Sequence, residues 1–368
     1  MIFYVVYIPL VINYKNTLKG DFEVFKKIAV LGCGAIGSSV GADLTDAGFD
    51  VMLIDQWPQH VERMKSHGLH IKMPDLDLQI PVKAYHLHEI YTLQPQFDLV
   101  ILASKSYDSV WLTHFIQPYL KPTGVLVGLQ NSLNDENIAP IIGYQNEIGC
   151  VIELSGELVE PGYVVRNTTR TTTWFSPGEL HGLMTPRLKA LEDLFQNCAT
   201  TKMTSNIWGA KWSKLISNTM TQGPIGMLGI KSYEAGQLPG FYDLAFQLGK
   251  ETYEVGRALG MEIEPIFGLT QDDFLGTSDD VINKLLHTLL KHLGKNSRNA
   301  VVQDHAKGRK TEVAYLNGLV VKKGELVGIP TPYNHVVTLI NQQIEQGLIT
   351  TSPDNLNLIK PMIEQLGH

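Results

Sequence analysis

The sequence predicts an α/β protein whose N-terminal part is a doubly wound sheet with an antiparallel extension and whose C-terminal part is all-α. Three observations carry this reading. Short apolar runs alternate with helical stretches from Lys27 onward, the first run leads at once into a glycine-rich turn, and strand signals vanish after about Asn206. The expected organisation is an extension over residues 1–25, a sheet domain over 26–204 and a helical domain over 205–368.

Ile28-Ala29-Val30-Leu31 reads as a buried strand, followed by the glycine turn and a helix from about Ala35 to Ala47. Val51 to Ile54 forms the second strand, and Pro58 to His67 is helical. The continuous apolar runs Leu99 to Ala103 and Val125 to Gly128 suit parallel strands covered on both faces. Strands alternating with helices imply right-handed crossovers and a doubly wound sheet. Between about Val151 and Phe175 the residues alternate and are rich in Thr and Val, notably at Tyr163 to Asn167 and Arg170 to Phe175. This stretch is expected to extend the same sheet in antiparallel fashion. In the helical part, Thr331-Pro332 has the form of an N-cap followed by proline at the first helical position.

With 368 residues and 44% hydrophobic content, the chain has enough apolar material for two cores. A net charge of −7 argues against a general nucleic-acid or membrane-surface binder, which needs a basic face. Cys33, Cys150 and Cys198 form no CxxC pair, so a reducing, cytoplasmic compartment is expected. The apolar stretch Met1 to Tyr14 lacks a basic leader and a small-residue cleavage site and is too short to span a bilayer. It reads as a surplus extension, with a signal anchor as the alternative.

Gly32-Cys33-Gly34-Ala35-Ile36-Gly37 matches GxGxxG directly after a strand and at the start of a helix. The first glycine permits the tight turn and the second lets the backbone approach a pyrophosphate. The third allows the helix to pack close to the strand. The helix N-terminus adds N–H groups and positive dipole, so a Rossmann-type dinucleotide site is expected. Asp55 lies at the tip of the second strand, about 20 residues on, where a carboxylate accepts hydrogen bonds from ribose hydroxyls. A cofactor 2′-phosphate there would be repelled by roughly 4 kcal/mol at 4 Å and an effective dielectric near 20. Asp55 therefore favours NADH over NADPH.

Lys214, Asn218 and Gln222 fall at i, i+4 and i+8 of an expected helix and form one polar stripe. Reduction of a keto group needs a proton donor at the carbonyl oxygen, and a partly desolvated lysine can be that acid. Neutral amides orient hydroxyl and carboxylate groups without adding charge. A solvated stripe is the alternative on spacing alone. His86-Leu87-His88 would place two imidazoles on one strand face, but no third ligand has supporting spacing, so no metal is expected.

These elements resemble the ketopantoate reductase family over about residues 26–345. The matching residues are the glycine loop, Ser104-Lys105-Ser106-Tyr107, Leu129-Gln130-Asn131, Lys214-x-x-x-Asn218, and Thr311-Glu312-Val313-Ala314-Tyr315-Leu316-Asn317-Gly318. The Lys-x-x-x-Asn pair is shared with other β-hydroxyacid dehydrogenases, whereas the late Thr-Glu-x-x-Tyr-x-Asn-Gly element is more particular. The resemblance implies reduction of ketopantoate to pantoate by NAD(P)H, with Lys214 as proton donor and Asn218 on the substrate. It implies Glu312 near the active site, helping to position Lys214 or the nicotinamide ribose. Lys105, Asn131 and Ser155 would contact the cofactor, and Asn131 would also meet the substrate. Several residues depart from the pattern. Ser132 replaces a common glycine, Gln222 an asparagine, and Ala300 a substrate-binding serine. Asn299, Ser297 or Asn296 are near enough to substitute for that serine, and Asn299 is the one expected to bind substrate. Asp55 is unusual too, because the family habit is NADPH. An NAD-dependent 2-hydroxyacid dehydrogenase for branched 2-keto acids and a non-catalytic dinucleotide sensor remain as alternatives. The expected partner is a small 2-keto acid, with no nucleic acid or membrane. A homodimer is compatible with the helical part, although no residue pattern specifies one.

Overall fold

The structure is a computed structural model and describes residues 25–291, 294 and 297–367. The expectation for Met1 to Val24, and the candidate Asn296, lie outside the described residues. In chain order the first half contains β1 (Ile28–Leu31), α1 (Ala35–Asp46), β2 (Val51–Asp55), α2 (Pro58–His67), β3 (Leu69–Lys72), β4 (Asp77–Ile80) and β5 (Lys83–His86). There follow α3 (Leu87–Leu93), β6 (Phe97–Leu102), α4 (Ser109–Ile116), β7 (Leu120–Leu129), α5 (Asp135–Ile142), β8 (Glu147–Glu153), β9 (Gly156–Glu160) and β10 (Tyr163–Arg166). The sheet region ends with β11 (Trp174–Glu179), α6 (Pro186–Phe195) and β12 (Thr200–Thr201). The remainder is helical: α7 (Ile207–Leu228), α8 (Ser232–Ala235), α9 (Phe241–Ala258), α10 (Ser278–Lys291), α11 (Ala300–Ala306), α12 (Asn317–Val327), α13 (Pro332–Glu345) and α14 (Ile359–Gln365).

The main sheet has the order β12-β11-β8-β7-β6-β1-β2-β5. Its neighbours run parallel except β11, which lies antiparallel to β8. The expected α/β class, with an antiparallel extension and a helical C-terminal part, is what the chain adopts. Central strands β1 and β6 are buried at every apolar position, as continuous apolar runs require when both faces are covered.

The extension differs in detail from the expectation. Only Trp174 and Phe175 of the Arg170 to Phe175 stretch join the main sheet. Tyr163 to Arg166 leaves it for a second sheet of order β4-β3-β10-β9. The reason is a buried ion pair. Arg166 Nη1 donates to Asp43 Oδ2 of α1 at 2.6 Å, and its Nη2 donates to Thr173 and the Cys198 carbonyl. Both side chains of the pair are fully buried, so β10 is held against α1. His86 closes β5 and His88 enters α3, so they do not share a strand, yet their rings stack with centroids 5.3 Å apart. Among the described residues no group of three His, Cys, Asp or Glu is arranged to hold a metal. All three cysteines are buried and free.

The helical part is organised around α7, which is buried along most of its length. Trp212 of α7 is fully buried and donates to the Thr252 carbonyl of α9 at 3.0 Å. Gly256 makes that approach possible, since a Cβ there would lie 2.1 Å from the indole nitrogen. The start of α13 is capped from elsewhere. Thr331 occupies the N-cap with Pro332 next, but its side chain makes no cap bond. Instead the carboxylate of Glu251 on α9 accepts from the Tyr333 and Asn334 N–H groups at 2.9 and 3.0 Å. A carboxylate at a helix N-terminus fulfils the capping requirement from a neighbouring helix.

One buried polar contact fixes α7 against the sheet. Lys211 of α7 donates to Asp135 of α5, with both side chains essentially inaccessible to water. Beside them Glu147 of β8 has its pKa pushed up to about 10, by burial first and then by the charge of Asp135. Glu147 is therefore neutral, and the lysine and Asp135 form the charged pair. Removing one partner of a buried pair leaves the other uncompensated. Lys211→Met is expected to destabilise the protein by about 3–5 kcal/mol, read as a lower urea midpoint in equilibrium unfolding.

Candidate active site

A cleft of about 850 Å³ runs along the carboxyl ends of β1, β2, β6, β7 and β8 and is closed on its far side by α7, α11 and the Glu312 segment. In open α/β sheets this edge, where the strand order reverses, is where ligands bind. The reversal here lies between β1 and β6, and the glycine loop sits at it.

Each glycine of the loop does what its position demands. Gly32 has φ +89°, and a Cβ on it would lie 2.8 Å from Ser104 N. A Cβ on Gly37 would lie 1.9 Å from the Gly32 carbonyl oxygen, so α1 packs directly on the turn. A Cβ on Gly34 would meet no protein atom within 4 Å. That position opens on the cleft at the N-terminus of α1, the place a pyrophosphate would take. The residues present thus fit a dinucleotide. Cys33, Ala35 and Ile36 line the cleft as well, whereas Gly37 does not. Cys33 is fully buried, and its N–H and carbonyl are both taken, by Asp55 and by Ser38 and His60, so it shapes the loop rather than contacting a ligand.

Asp55 is placed at the tip of β2, but its carboxylate is already engaged. Oδ2 accepts from Cys33 N at 2.6 Å and Oδ1 from Trp57 N at 2.7 Å, so the side chain braces the glycine loop. His60 supports the loop from beneath. Its Nδ1 accepts from Gly162 N at 2.9 Å, which leaves Nε2 to donate to the Cys33 carbonyl at 2.8 Å. The guanidinium of Arg309, from the helical part, lies 5.4 Å from the Trp57 ring centre, at the same end of the cleft.

At the other end, Lys214, Asn218 and Gln222 all face the cleft from α7. Asn218 Nδ2 donates to Asn131 Oδ1 at 3.1 Å, so these two expected residues meet across the cleft. Gln222 Oε1 is buried and accepts no hydrogen bond from the protein. Lys214 pairs with Glu153 at the end of β8, and its ammonium lies 5.1 Å from the Phe267 ring centre.

Two expectations need correcting. Of the two placements expected for Glu312, the one beside Lys214 is not seen, although the residue does line the cleft. Its Oε1 accepts from Ser106 N and Ser106 Oγ at 2.9 and 2.7 Å, and its Oε2 lies 3.5 Å from Lys105. The carboxylate is drawn there because the loop after β6 presents two donors and a cation together. Asn299, expected on the substrate, is a structural staple. Its Oδ1 caps α11 at Val302 N, and its Nδ2 donates to the Thr221 and Gln222 carbonyls, which uses both N–H groups and one lone pair of the oxygen. Ser155 lines the cleft and accepts from Asn167 Nδ2 at 3.0 Å.

Sequence reasoning missed Glu153, Asp304 and Arg309. Asp304 Oδ2 accepts from Lys105 Nζ at 2.6 Å. Burial works to lower the pKa of Lys105, but the charges of Glu312 and Asp304 outweigh it and raise the value, so this lysine stays cationic. Glu153 was findable, because it ends a strand on the ligand-binding edge of the sheet. Asp304 and Arg309 carry no such signal.

A braced glycine loop facing a lysine and amides across a cleft between the sheet and the helical region defines a nicotinamide-dinucleotide oxidoreductase. The family described as ketopantoate reductase PanE/ApbA matches residues 28–179, and its C-terminal counterpart matches residues 206–345. The chain belongs to this family. The 2-dehydropantoate 2-reductase of Pyrococcus horikoshii is 29% identical, over 84% of this chain and 95% of its own. That of Lactococcus lactis is 25% identical, over 87% and 98%. Among solved structures, a D-mandelate dehydrogenase with NADH and anilino(oxo)acetate superposes with TM-score 0.78 at 22% identity, over 88% and 99% of the two chains. A 2-dehydropantoate 2-reductase from Geobacter metallireducens gives 0.75 at 24%, over 86% and 99%. The recognition made from the motifs, and the fold class, agree with these matches. No described helix is long and apolar enough to cross a membrane.

Burial lowers the pKa of His60, against the opposing pull of Asp55 and the Cys33 carbonyl. A histidine held neutral when folded contributes its full stability above the unfolded value of about 6.5 and loses it as pH falls below that. The stability difference between the parent and His60→Asn is therefore expected to narrow from pH 8 to pH 5, measured by thermal unfolding at each pH. A constant difference would show that His60 does not bind its proton differently on unfolding.

Proposed function

We propose that this protein is a 2-dehydropantoate 2-reductase, reducing ketopantoate to pantoate with NAD(P)H in pantothenate biosynthesis. The observation that carries the reading is the placement of Lys214, Asn218 and Asn131 on the wall of the cleft that also holds the glycine loop. When bound, the cofactor supplies a hydride to the keto carbon. Lys214 gives a proton from its ammonium to the keto oxygen as charge develops there. Asn218 and Asn131 orient the substrate, and the unclaimed Gln222 Oε1 accepts from a substrate hydroxyl. Lys105 and Glu312 hold the nicotinamide end, and Ser155 takes a further cofactor contact. The relatives from Pyrococcus horikoshii and Lactococcus lactis, named for this reaction, support it.

The chain is read as a cytoplasmic enzyme of two domains, residues 26–204 binding the cofactor and 205–368 the substrate. A Staphylococcus aureus ketopantoate reductase of the same fold is dimeric, which supports a homodimer here. Loss of NAD(P)H absorbance on adding ketopantoate is the direct test of the activity. Lys214→Ala is expected to lower kcat by about a hundredfold or more, the usual scale for a general acid. Near-normal turnover of a folded variant would remove Lys214 from this role.

Asp55 supports NADH as the preferred cofactor. Its negative charge stands at the adenosine end, although Arg309 brings a cation to the same end from the other domain. We expect a higher kcat/KM with NADH than with NADPH. Asp55→Ser should narrow the gap, because it removes the charge that repels a 2′-phosphate, whereas losing the brace on Cys33 and Trp57 weakens both cofactors alike. A parent enzyme that strongly prefers NADPH would mean that Arg309 outweighs Asp55.

A further inference from the structure

Each reduction leaves Lys214 as a neutral amine that must regain a proton before the next turnover. The surroundings of that nitrogen limit where the proton can come from. The Lys214 side chain is only 12% exposed, and the Phe267 ring covers one side of the ammonium. On another side stands Glu153, whose side chain is 31% exposed and hydrogen-bonded to Lys214. Glu153 belongs to β8 of the sheet domain and Lys214 to α7, so the pair meets across the cleft. Both side chains line the cleft, and the carboxylate is the more exposed of the two, so it is the nearer of the pair to solvent acids. We propose that Glu153 is a positioning residue that resupplies the proton of Lys214 from solvent.

The step balances. The Lys214 ammonium gives one proton to the keto oxygen and becomes an amine. A solvent acid protonates the Glu153 carboxylate, the carboxyl O–H bond breaks toward the amine, and a new N–H bond forms. The pair returns to ammonium and carboxylate, with no change in oxidation state. A carboxylate suits this task because it accepts a proton from water-borne acids and already holds a hydrogen bond to the nitrogen it must serve.

The proposal rests on Lys214 being the proton donor, and the test separates the two ideas. Glu153→Gln keeps an acceptor for Lys214 but cannot carry a proton. Glu153→Ala leaves space for a small carboxylic acid. Binding of NADH, followed by quenching of protein fluorescence, should be unchanged in both. Both should lose kcat on the order of tenfold or more, a modest share of the range for proton transfer. Acetate added at constant pH and ionic strength should restore turnover to Glu153→Ala and give nothing to Lys214→Ala. A Glu153→Gln variant with the parent's kcat overturns the relay, as does a loss in Glu153→Ala that acetate leaves untouched. If Lys214→Ala itself turns over normally, the reading of the donor fails instead. Inactive Lys214→Ala beside fully active Glu153→Gln sinks the relay alone.

Discussion

The meeting of Lys211 and Asp135 in the interior decides how the two halves of this molecule stand to one another. A charged pair out of water tolerates little displacement, because each charge is stable there only against the other. Lys211 lies in the first turns of α7, and Asp135 begins α5 beneath the carboxyl end of β7. Fixing Lys211 therefore fixes both the rotation and the height of α7 over the sheet. Lys214 follows one turn later, then Asn218 and Gln222, all on the side that faces the cleft. The neutral Glu147 completes the arrangement, since a second carboxylate beside Asp135 would otherwise bring an unpaired charge into the core.

The same device recurs along the interface in less buried form. Lys105 reaches from the end of β6 to Asp304 on α11, and Lys214 reaches from α7 back to Glu153 on β8. Arg298 and Lys307 both approach Glu157 of β9. Opposite charges on opposite walls bring the sheet and the helical region together around the cleft without filling it with apolar side chains. The exposed members of this set are screened by salt, whereas Lys211 and Asp135 are not. That contrast separates a fixed contact at the base of α7 from adjustable contacts at the cleft mouth.

Within the cleft, hydrogen-bond accounting explains which polar residues are free for ligands. Asp55, His60 and Asn299 are occupied with backbone groups and hold the loop and α11 in shape. Gln222 retains an unclaimed oxygen, and Lys214 has only an exchangeable partner. A buried polar atom without a partner is costly, so its presence on the cleft wall points to a ligand that supplies the missing bond.

By itself the sequence determined the pattern that short-range physics controls. Apolar runs gave β1, β2, β6 and β7, since a strand covered on both faces has no polar positions. The glycine loop and Asp55 were legible because backbone conformation and close approach restrict which residues can stand there. The stripe on α7 was legible because helical spacing sets it. Tertiary structure alone decided the rest. Nothing local in Tyr163 to Arg166 says that it leaves the main sheet, because the cause is Asp43, more than a hundred residues away. Nothing near Thr331 says that Glu251 will cap its helix. The partners of Lys214, Lys105 and Trp57 come from the opposite wall of the cleft, and Asn299 looks free until its helix end is seen to need it. Those assignments depend on which buried donors and acceptors meet across long sequence separations, and only the assembled chain settles that.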